Sequence, residues 1–324
     1  MRSHDYQIRW ADAVRAAAPP LAAVALVAAI LHLGVWIGVW PRPIPALDVD
    51  RTVLLHQAAA SEVRSEAELI FVGDSSCLMD VDPRVVARAT GRPALNLGTL
   101  SHLDLEGQQR LLGRFFQANP VRGQTVVLLM NPASLRLWPE AAWPSSILDD
   151  FYARRDPIGH SSGIDRWLGF EIVRARLLGP AWPTPLPGAF GQRYGFTRDL
   201  WRAMSAQGGH LIDPRRLEPG SIRGSTEYSI AAVWEKGGRL FRSRLPRGIR
   251  LAAGFTPVPV SLTDGDLDRR GRDLLRQWAE WLEADQVLTG LPAAWGDDRF
   301  ATPTHLDEEG AREFSMQLGI ELGR

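Results

Sequence analysis

The run Thr125-Val126-Val127-Leu128-Leu129-Met130 has no charged side chain and no turn former, and it constrains the fold more than any other stretch of the chain. It is too short for an independent helix, and its lack of alternation excludes a strand with one wet face. Continuous apolar strands of this kind belong inside parallel sheets that helices cover on both sides. Leu69-Ile70-Phe71-Val72 has the same character and predicts a strand over 68–72. Val81-Asp82-Pro83 then introduces a helix through Ala89, with proline suited to the first turn. Pro93-Ala94-Leu95-Asn96-Leu97-Gly98 reads as a short strand with a glycine turn, and a polar helix follows over 103–117. Strand and helix therefore alternate, which predicts right-handed βαβ units and an α/β fold with a doubly wound, mostly parallel sheet.

The alternation returns late in the chain. Ile249 to Phe255 reads as a strand, and 268–285 as an amphipathic helix with Leu274, Leu275, Trp278, Trp281 and Leu282 inward. A last strand near Val287-Leu288 and a helix over 308–322 close the domain. Between about 138 and 238 Pro, Gly and Trp are frequent and only short helices are expected, over 162–178 and 197–204, which predicts an inserted cap. Ahead of the first strand, 48–68 reads as a connecting helix with Val53, Leu54, Leu55 and Ala58 on its apolar face.

No Asp, Glu, Lys or Arg occurs from Ala16 to Pro41. At 1.5 Å per residue, about 20 helical residues cross a hydrocarbon core of about 30 Å. The expectation is a membrane span over 16–41, with Pro19 and Pro20 in its first turn and Trp36 and Trp40 at the far interface. A cleaved signal peptide is the competing reading, but the run is long and ends in Gly38-Val39-Trp40-Pro41-Arg42 rather than in small residues. Arg2, Arg9 and Arg15 before the span against Arg42 and Arg51 after it place residues 1–15 in the cytoplasm by a narrow margin, and the rest outside it. The expected organisation is a leader over 1–15, an anchor over 16–41, a connecting helix and linker over 42–67, and one domain over 68–324 with the cap inside it.

The chain of 324 residues has 37 basic and 37 acidic side chains, so net charge gives no case for nucleic acid as a partner. Cys77 is the only cysteine, which excludes an intramolecular disulfide, and no Cys/His cluster has zinc spacing. No metal or cofactor is expected.

Candidate chemistry sits at the strand ends. The first strand empties into Gly73-Asp74-Ser75-Ser76, a turn that exposes a hydroxyl at the carboxyl edge of the sheet. His305, in Thr304-His305-Leu306-Asp307-Glu308-Glu309-Gly310 before the last helix, is placed to fold back as its base. Ser75 is thus the expected nucleophile, Ser76 points elsewhere on the turn, and Asp74 fixes the loop by hydrogen bonds. Gly98, as an open backbone donor, and the Asn131 side chain join the Ser75 N–H in an expected oxyanion hole. His102 is a candidate supporting group. Trp138, Trp143, Trp182 and Trp201 are candidates for stacking on sugar rings, against the alternative that they pack the cap.

Gly73-Asp74-Ser75, Asn96-Leu97-Gly98, Asn131 and His305-Leu306 with Gly310, in that order at successive strand ends, resemble the blocks of the SGNH/GDSL hydrolase superfamily. The resemblance covers about 68–322 and implies a flavodoxin-like three-layer sandwich. With the span and Phe300, the chain looks most similar to the extracytoplasmic proteins of polysaccharide O-acetylation and teichoic acid D-alanylation systems. The family's Asp-x-x-His block puts an aspartate at 302, where this chain has Thr302. The partner of His305 is then a backbone carbonyl, the Thr302 hydroxyl, or Asp297 or Asp298 from the preceding loop, of which Asp298 is the expected member of the site. The resemblance implies an inner-membrane, single-pass acyltransferase or esterase with its main domain in the periplasm. It would act on a cell-envelope polysaccharide or small acyl ester, with a multi-pass membrane acyltransferase as donor partner. A non-catalytic glycan-binding or scaffold subunit is the alternative that the missing aspartate favours.

Overall fold

The computed structural model describes residues 10–36, 48–100, 103–136, 143–153, 184–218, 220, 228–263 and 267–323. Packing divides the chain into two units, Met1–Ala46 with Tyr152–Pro183 and Leu47–Phe151 with Thr184–Arg324. Trp138, Trp182, His102, the helix expected over 162–178 and the end of the expected span beyond Trp36 lie outside the described residues.

In the first unit, helix α1 runs over Trp10–Trp36. It starts earlier than the apolar run because Trp10 to Ala18 is rich in alanine, the best helix former, so Pro19 and Pro20 fall inside the helix rather than in its first turn. Leu21, Val24, Leu26, Ile30 and Leu33 are all exposed along it. Among the described residues, no helix is long and apolar enough to cross a membrane.

The second unit is an α/β domain. Its strands are β1 (Leu69–Gly73), β2 (Ala94–Asn96), β3 (Thr125–Met130), β4 (Arg250–Phe255), β5 (Val258–Pro259), β6 (Gln286–Val287), β7 (Ala294–Trp295), β8 (Phe300–Thr302) and β9 (His305–Leu306). Five of them form one parallel sheet in the order β2-β1-β3-β4-β6. β5 pairs with β7 in a two-stranded parallel ladder, and β8 with β9 in an antiparallel one. The helices are α2 (Val49–Ser61), α3 (Ser75–Asp80), α4 (Pro83–Thr90), α5 (Leu105–Ala118), α6 (Trp143–Ala153), α7 (Gly188–Tyr194), α8 (Thr197–Ala206), α9 (Val233–Ser243), α10 (Leu267–Trp281) and α11 (Glu308–Leu322).

Side chains alternate across the sheet, so successive residues of its apolar strands feed two cores. Ile70, Val72, Val126, Leu128, Met130 and Leu251 pack with Leu112 and Phe115 of α5, Trp234 and Phe241 of α9, and Trp278 of α10. The Trp234 and Trp278 rings meet edge to face at 5.7 Å. On the opposite side Leu69, Phe71, Val127 and Leu129 pack with Cys77 of α3, Val86 of α4, and Phe314 and Leu318 of α11. Each such side chain contributes about 1.5–3 kcal/mol on burial, which is why these strands carry no polar face. β2 and β3 lie on opposite sides of β1, so the chain reverses its winding there, and the crevice outside the carboxyl ends of β1 and β3 is where open α/β sheets bind ligands.

Two boundaries differ from those the sequence pattern suggests. The connecting helix is a packed part of the domain: Asp48 caps α2 by accepting from the Arg51 N–H at 2.8 Å, and Val53, Leu54, Leu55, Ala58, His56 and Gln57 are all buried. Its Val53 joins Leu78, Met79, Leu200, Met204 and Leu211 in a third cluster. The end of the expected cap is likewise core, since Trp234 and Phe241 of α9 fill the first cluster.

Candidate active site

β1 ends in Gly73 because no other residue fits there: a Cβ would lie 1.8 Å from the Leu129 carbonyl oxygen of β3. The next residue, Asp74, caps α3, accepting from the Ser76 N–H at 3.0 Å and the Ser76 hydroxyl at 2.6 Å on Oδ1. Its Oδ2 accepts from the Asn131 N–H at 3.1 Å, so one carboxylate ties the loop after β1 to the loop after β3. Asp74 thus sits where a loop-fixing residue should. Ser76 is fully buried, and its oxygen also accepts from the Thr256 hydroxyl at 2.8 Å. Ser75 is the half-buried member of the pair.

His305 is delivered by the β8–β9 hairpin, in which it pairs with Thr302. The neighbouring Leu306 N–H donates to Asp80 Oδ1 at 2.8 Å, and Asp307 caps α11 by accepting from the Gly310 N–H at 2.7 Å. Burial pushes the Asp80 carboxyl well above the usual range, opposed by the Leu306 N–H and reinforced by the negative Asp74 and Asp213 nearby. With both flanks fixed, His305 Nε2 stands 2.8 Å from Ser75 Oγ.

The partner of His305 comes from the insertion, 92 residues away. Asp213 Oδ2 lies 2.7 Å from His305 Nδ1, with the Asp213 side chain wholly shielded from solvent. Arg215 holds this carboxylate in a fork, Nε to Oδ1 at 2.8 Å and Nη2 to Oδ2 at 2.5 Å, while its own N–H donates to Oδ1 at 3.0 Å. Burial pushes the Asp213 carboxyl up, but hydrogen bonds from His305 and Arg215 outweigh it and hold it well below the usual carboxylate range. Arg215 Nη2 also stands 3.2 Å from His305 Nδ1. Arg215 and Nδ1 both face Asp213 Oδ2, and an ionised carboxylate accepts only; Nδ1 therefore carries the proton and Nε2 is free to take one from Ser75.

Asp298 is not in the site. It is 83% exposed and faces the Arg299 guanidinium at 3.9 Å. Asp297 accepts from the Ser261 N–H at 3.1 Å, and the Thr302 hydroxyl faces the Thr304 N–H at 3.4 Å. The single 3-10 turn Asp297–Arg299 runs directly into β8 and keeps these carboxylates outside, whereas the 208–215 segment crosses α3 and brings Asp213 in. A pattern search confined to the residues just before the histidine misses this aspartate; the one local signal is Asp213-Pro214-Arg215 directly after apolar Leu211-Ile212.

Asn131 is level with Ser75, since Gly73 pairs with Leu129 in the β1–β3 register. Its Oδ1 accepts from the Ala133 N–H at 2.9 Å, which sets the amide orientation, and its buried Nδ2 has no hydrogen-bond partner among the described residues. A buried donor left unpaired is costly unless an acceptor arrives during function. The Ser75 N–H, in the first turn of α3, has no acceptor within its own helix. Gly98 does not supply the expected donor, because its N–H is already given to Asn96 Oδ1 at 2.7 Å. Its lack of a side chain serves packing instead, as a Cβ would lie 2.6 Å from the Leu78 nitrogen of α3. Asn96 completes this brace by donating to the Cys77 and Val81 carbonyls, each at 2.8 Å.

Of the tryptophans considered for sugar stacking, Trp201 packs edge-on against His56 at 5.1 Å and Trp143 lies beneath the Arg51 guanidinium at 5.9 Å. Among the described residues, no group of three His, Cys, Asp or Glu side chains is arranged to hold a metal ion. Compared with known proteins, the chain matches no family model and no curated protein. The geometry itself defines a serine hydroxyl, a histidine oriented to deprotonate it and a buried carboxylate fixing the tautomer, at the switch point of a parallel sheet.

Proposed function

We propose that this chain is a membrane-anchored, SGNH-like serine acyltransferase or acylesterase that acts outside the cytoplasm on a cell-envelope glycan. The observation that carries the reading is the continuous relay Ser75–His305–Asp213, with contacts of 2.8 and 2.7 Å. Ser75 Oγ attacks the carbonyl carbon of an acyl donor while its proton passes to His305 Nε2. The oxyanion is met by Asn131 Nδ2 and the Ser75 N–H, each such donor being worth about 3 kcal/mol in the transition state. Collapse expels the leaving group, which takes the proton from Nε2 and leaves an acylated Ser75. A glycan hydroxyl or water, deprotonated by the same nitrogen, then releases the acyl group.

The strand order fits the flavodoxin-like, doubly wound arrangement of the superfamily, with the site at the β1/β3 switch point. The anchor rests on the uncharged run 16–41, which extends past the described end of α1, and on the apolar side chains exposed along that helix. A donor supplied by a multi-pass membrane acyltransferase belongs to the same reading. The scaffold alternative drew on the missing carboxylate at 302, and Asp213 removes that ground.

Covalent labelling with a fluorophosphonate, read by intact mass, tests the catalytic claim. The wild-type protein should gain one adduct, and Ser75→Ala and His305→Ala should gain none; a folded wild-type protein that stays unlabelled overturns it. Product analysis with and without an oligosaccharide acceptor separates transfer from hydrolysis.

A further inference from the structure

We propose that Gln57 and His56 of α2 are positioning residues that set Asp213 against His305. This inference rests on the catalytic reading above and adds to it the device that holds the distant carboxylate in register.

The carboxylate arrives on the 208–213 segment, which is laid along β2 and α3. The Asn96 N–H donates to the Gly208 carbonyl at 2.9 Å, the Leu211 N–H to the Leu78 carbonyl at 3.2 Å, and His210 Nδ1 to the same carbonyl at 3.1 Å. Gly209 has φ +92°, and a Cβ there would lie 1.9 Å from the Asn96 carbonyl oxygen, so the segment sits at closest approach to β2. Gln57, fully buried, secures the other side: its Nε2 donates to the Gly98 carbonyl at 2.7 Å and to the Gly209 carbonyl at 3.2 Å. Those two carbonyls belong to the loop after β2 and to the segment that ends in Asp213. Two acceptors facing one side chain demand a group with two N–H bonds, which an amide supplies and a hydroxyl or carboxylate does not.

The direction of the bond between Gln57 and His56 follows. With Nε2 committed to the carbonyls, Gln57 Oε1 must accept, and the group facing it at 3.3 Å is His56 Nδ1. His56 Nε2 is then left as an acceptor 3.0 Å from Ser205 Oγ of α8, whose single hydroxyl proton is shared between it and the Trp201 carbonyl, also at 3.0 Å. Burial lowers His56 to about 4 against the Gln57 hydrogen bond, so the ring is neutral at pH 7 and carries one proton, on the Nδ1 that faces Gln57 Oε1. The relay from Ser205 through His56 and Gln57 to Gly209 thus fastens α8, α2 and the Asp213 segment together, four residues from the carboxylate.

The test uses the full chain with Gln57→Met, which keeps the side-chain volume and removes both donors, beside Leu55→Ala, a buried position of the same helix outside the cluster that holds Leu211. Three quantities are read: the rate of Ser75 labelling by a fluorophosphonate, kcat and KM for p-nitrophenyl acetate, and the downfield proton resonance of His305 Nδ1–H, assigned by its loss in His305→Ala. Small displacements of a catalytic group can cost up to about a hundredfold, so Gln57→Met should lower labelling and kcat about tenfold or more with KM unchanged. Its resonance should shift or broaden, while Leu55→Ala keeps all three despite a lower melting temperature. Wild-type labelling and an unmoved resonance in Gln57→Met overturn the proposal. If the wild-type protein itself does not label, the catalytic reading fails and the resonance alone decides the positioning role. Should Gln57→Met not fold, Ser205→Ala at the exposed end of the relay should show a smaller change in the same direction, and no change there overturns the proposal.

Discussion

Asp213 is subject to two opposed effects, burial that disfavours its charge and a guanidinium fork plus an imidazole that favour it, and the second wins. Asp213→Asn leaves the shape of the site intact but presents an amide N–H where His305 needs an acceptor, which turns the imidazole to the wrong tautomer. The expected loss in kcat is up to about 10⁴-fold, the scale of a triad aspartate replaced by a neutral group. Asp298→Ala, at an exposed position beside Arg299, should leave kcat unchanged; steady-state ester hydrolysis by the two variants checks both outcomes. The same carboxylate makes a signed contribution to stability. Its pKa in the fold lies below the unfolded value of about 3.9, so its contribution is complete above that value and is lost as pH falls toward the folded one. Urea unfolding should therefore show a gap between wild type and Asp213→Asn that is constant above about pH 5 and shrinks in stronger acid. Ser75, His305, Asp74 and Asn131 are legible because each stands directly at a strand end or ahead of a helix, where local pattern and position in the fold coincide. Asp213 is not, since its role depends on a segment crossing α3, and neither is the loss of Gly98 as a donor, which depends on where the Asn96 side chain turns.

Among the elements, α2 shows best how a sequence pattern can name a helix and still misjudge its place. Its apolar residues are readable at helical spacing, but burial of the polar His56 and Gln57 as well depends on partners from α8 and the 208–213 segment, far along the chain. The β1, β3, β4, α10 and α11 segments are legible because their apolar periods match the faces they bury. A chain that starts at Glu68, where the first strand suggests a boundary, exposes the surface covered by Val53, Leu54, Leu55 and Ala58. At about 1.5–3 kcal/mol for each large apolar side chain, three of these exceed about 4 kcal/mol. Domains are stable by about 5–15 kcal/mol in total, so that chain should be insoluble or melt far below one starting at Leu47. Thermal melts of the two, followed by circular dichroism, decide it; equal melting temperatures would mean that α2 is a linker after all.

For the whole molecule, the question is what the apolar helix at its start does for a domain with a balanced charge. The domain offers no global electrostatic attraction to an anionic surface, with 37 basic and 37 acidic residues in the chain, so the proposed membrane anchoring rests on residues 16–41 alone. Inserting a run of that length without Asp, Glu, Lys or Arg is favourable, whereas one charged residue at its centre costs about 2.5–3.5 kcal/mol on insertion scales. The full chain should therefore stay with the membrane pellet after alkaline carbonate, which strips proteins held by charge alone. Deleting residues 1–46 should release the rest of the chain into the supernatant with its ester hydrolysis intact, because no residue of the Ser75–His305–Asp213 relay or of the Gln57 brace lies in that segment. Replacing Val27 by Arg tests the same idea without removing any chain: it places a charge near the middle of the run and should shift the protein toward the carbonate-soluble fraction. If Val27→Arg stays in the pellet while the deletion is released, the segment is held by a membrane-bound partner that leaves position 27 open to water rather than by hydrocarbon, since an unpaired charge is costly in lipid and in an apolar protein interface alike.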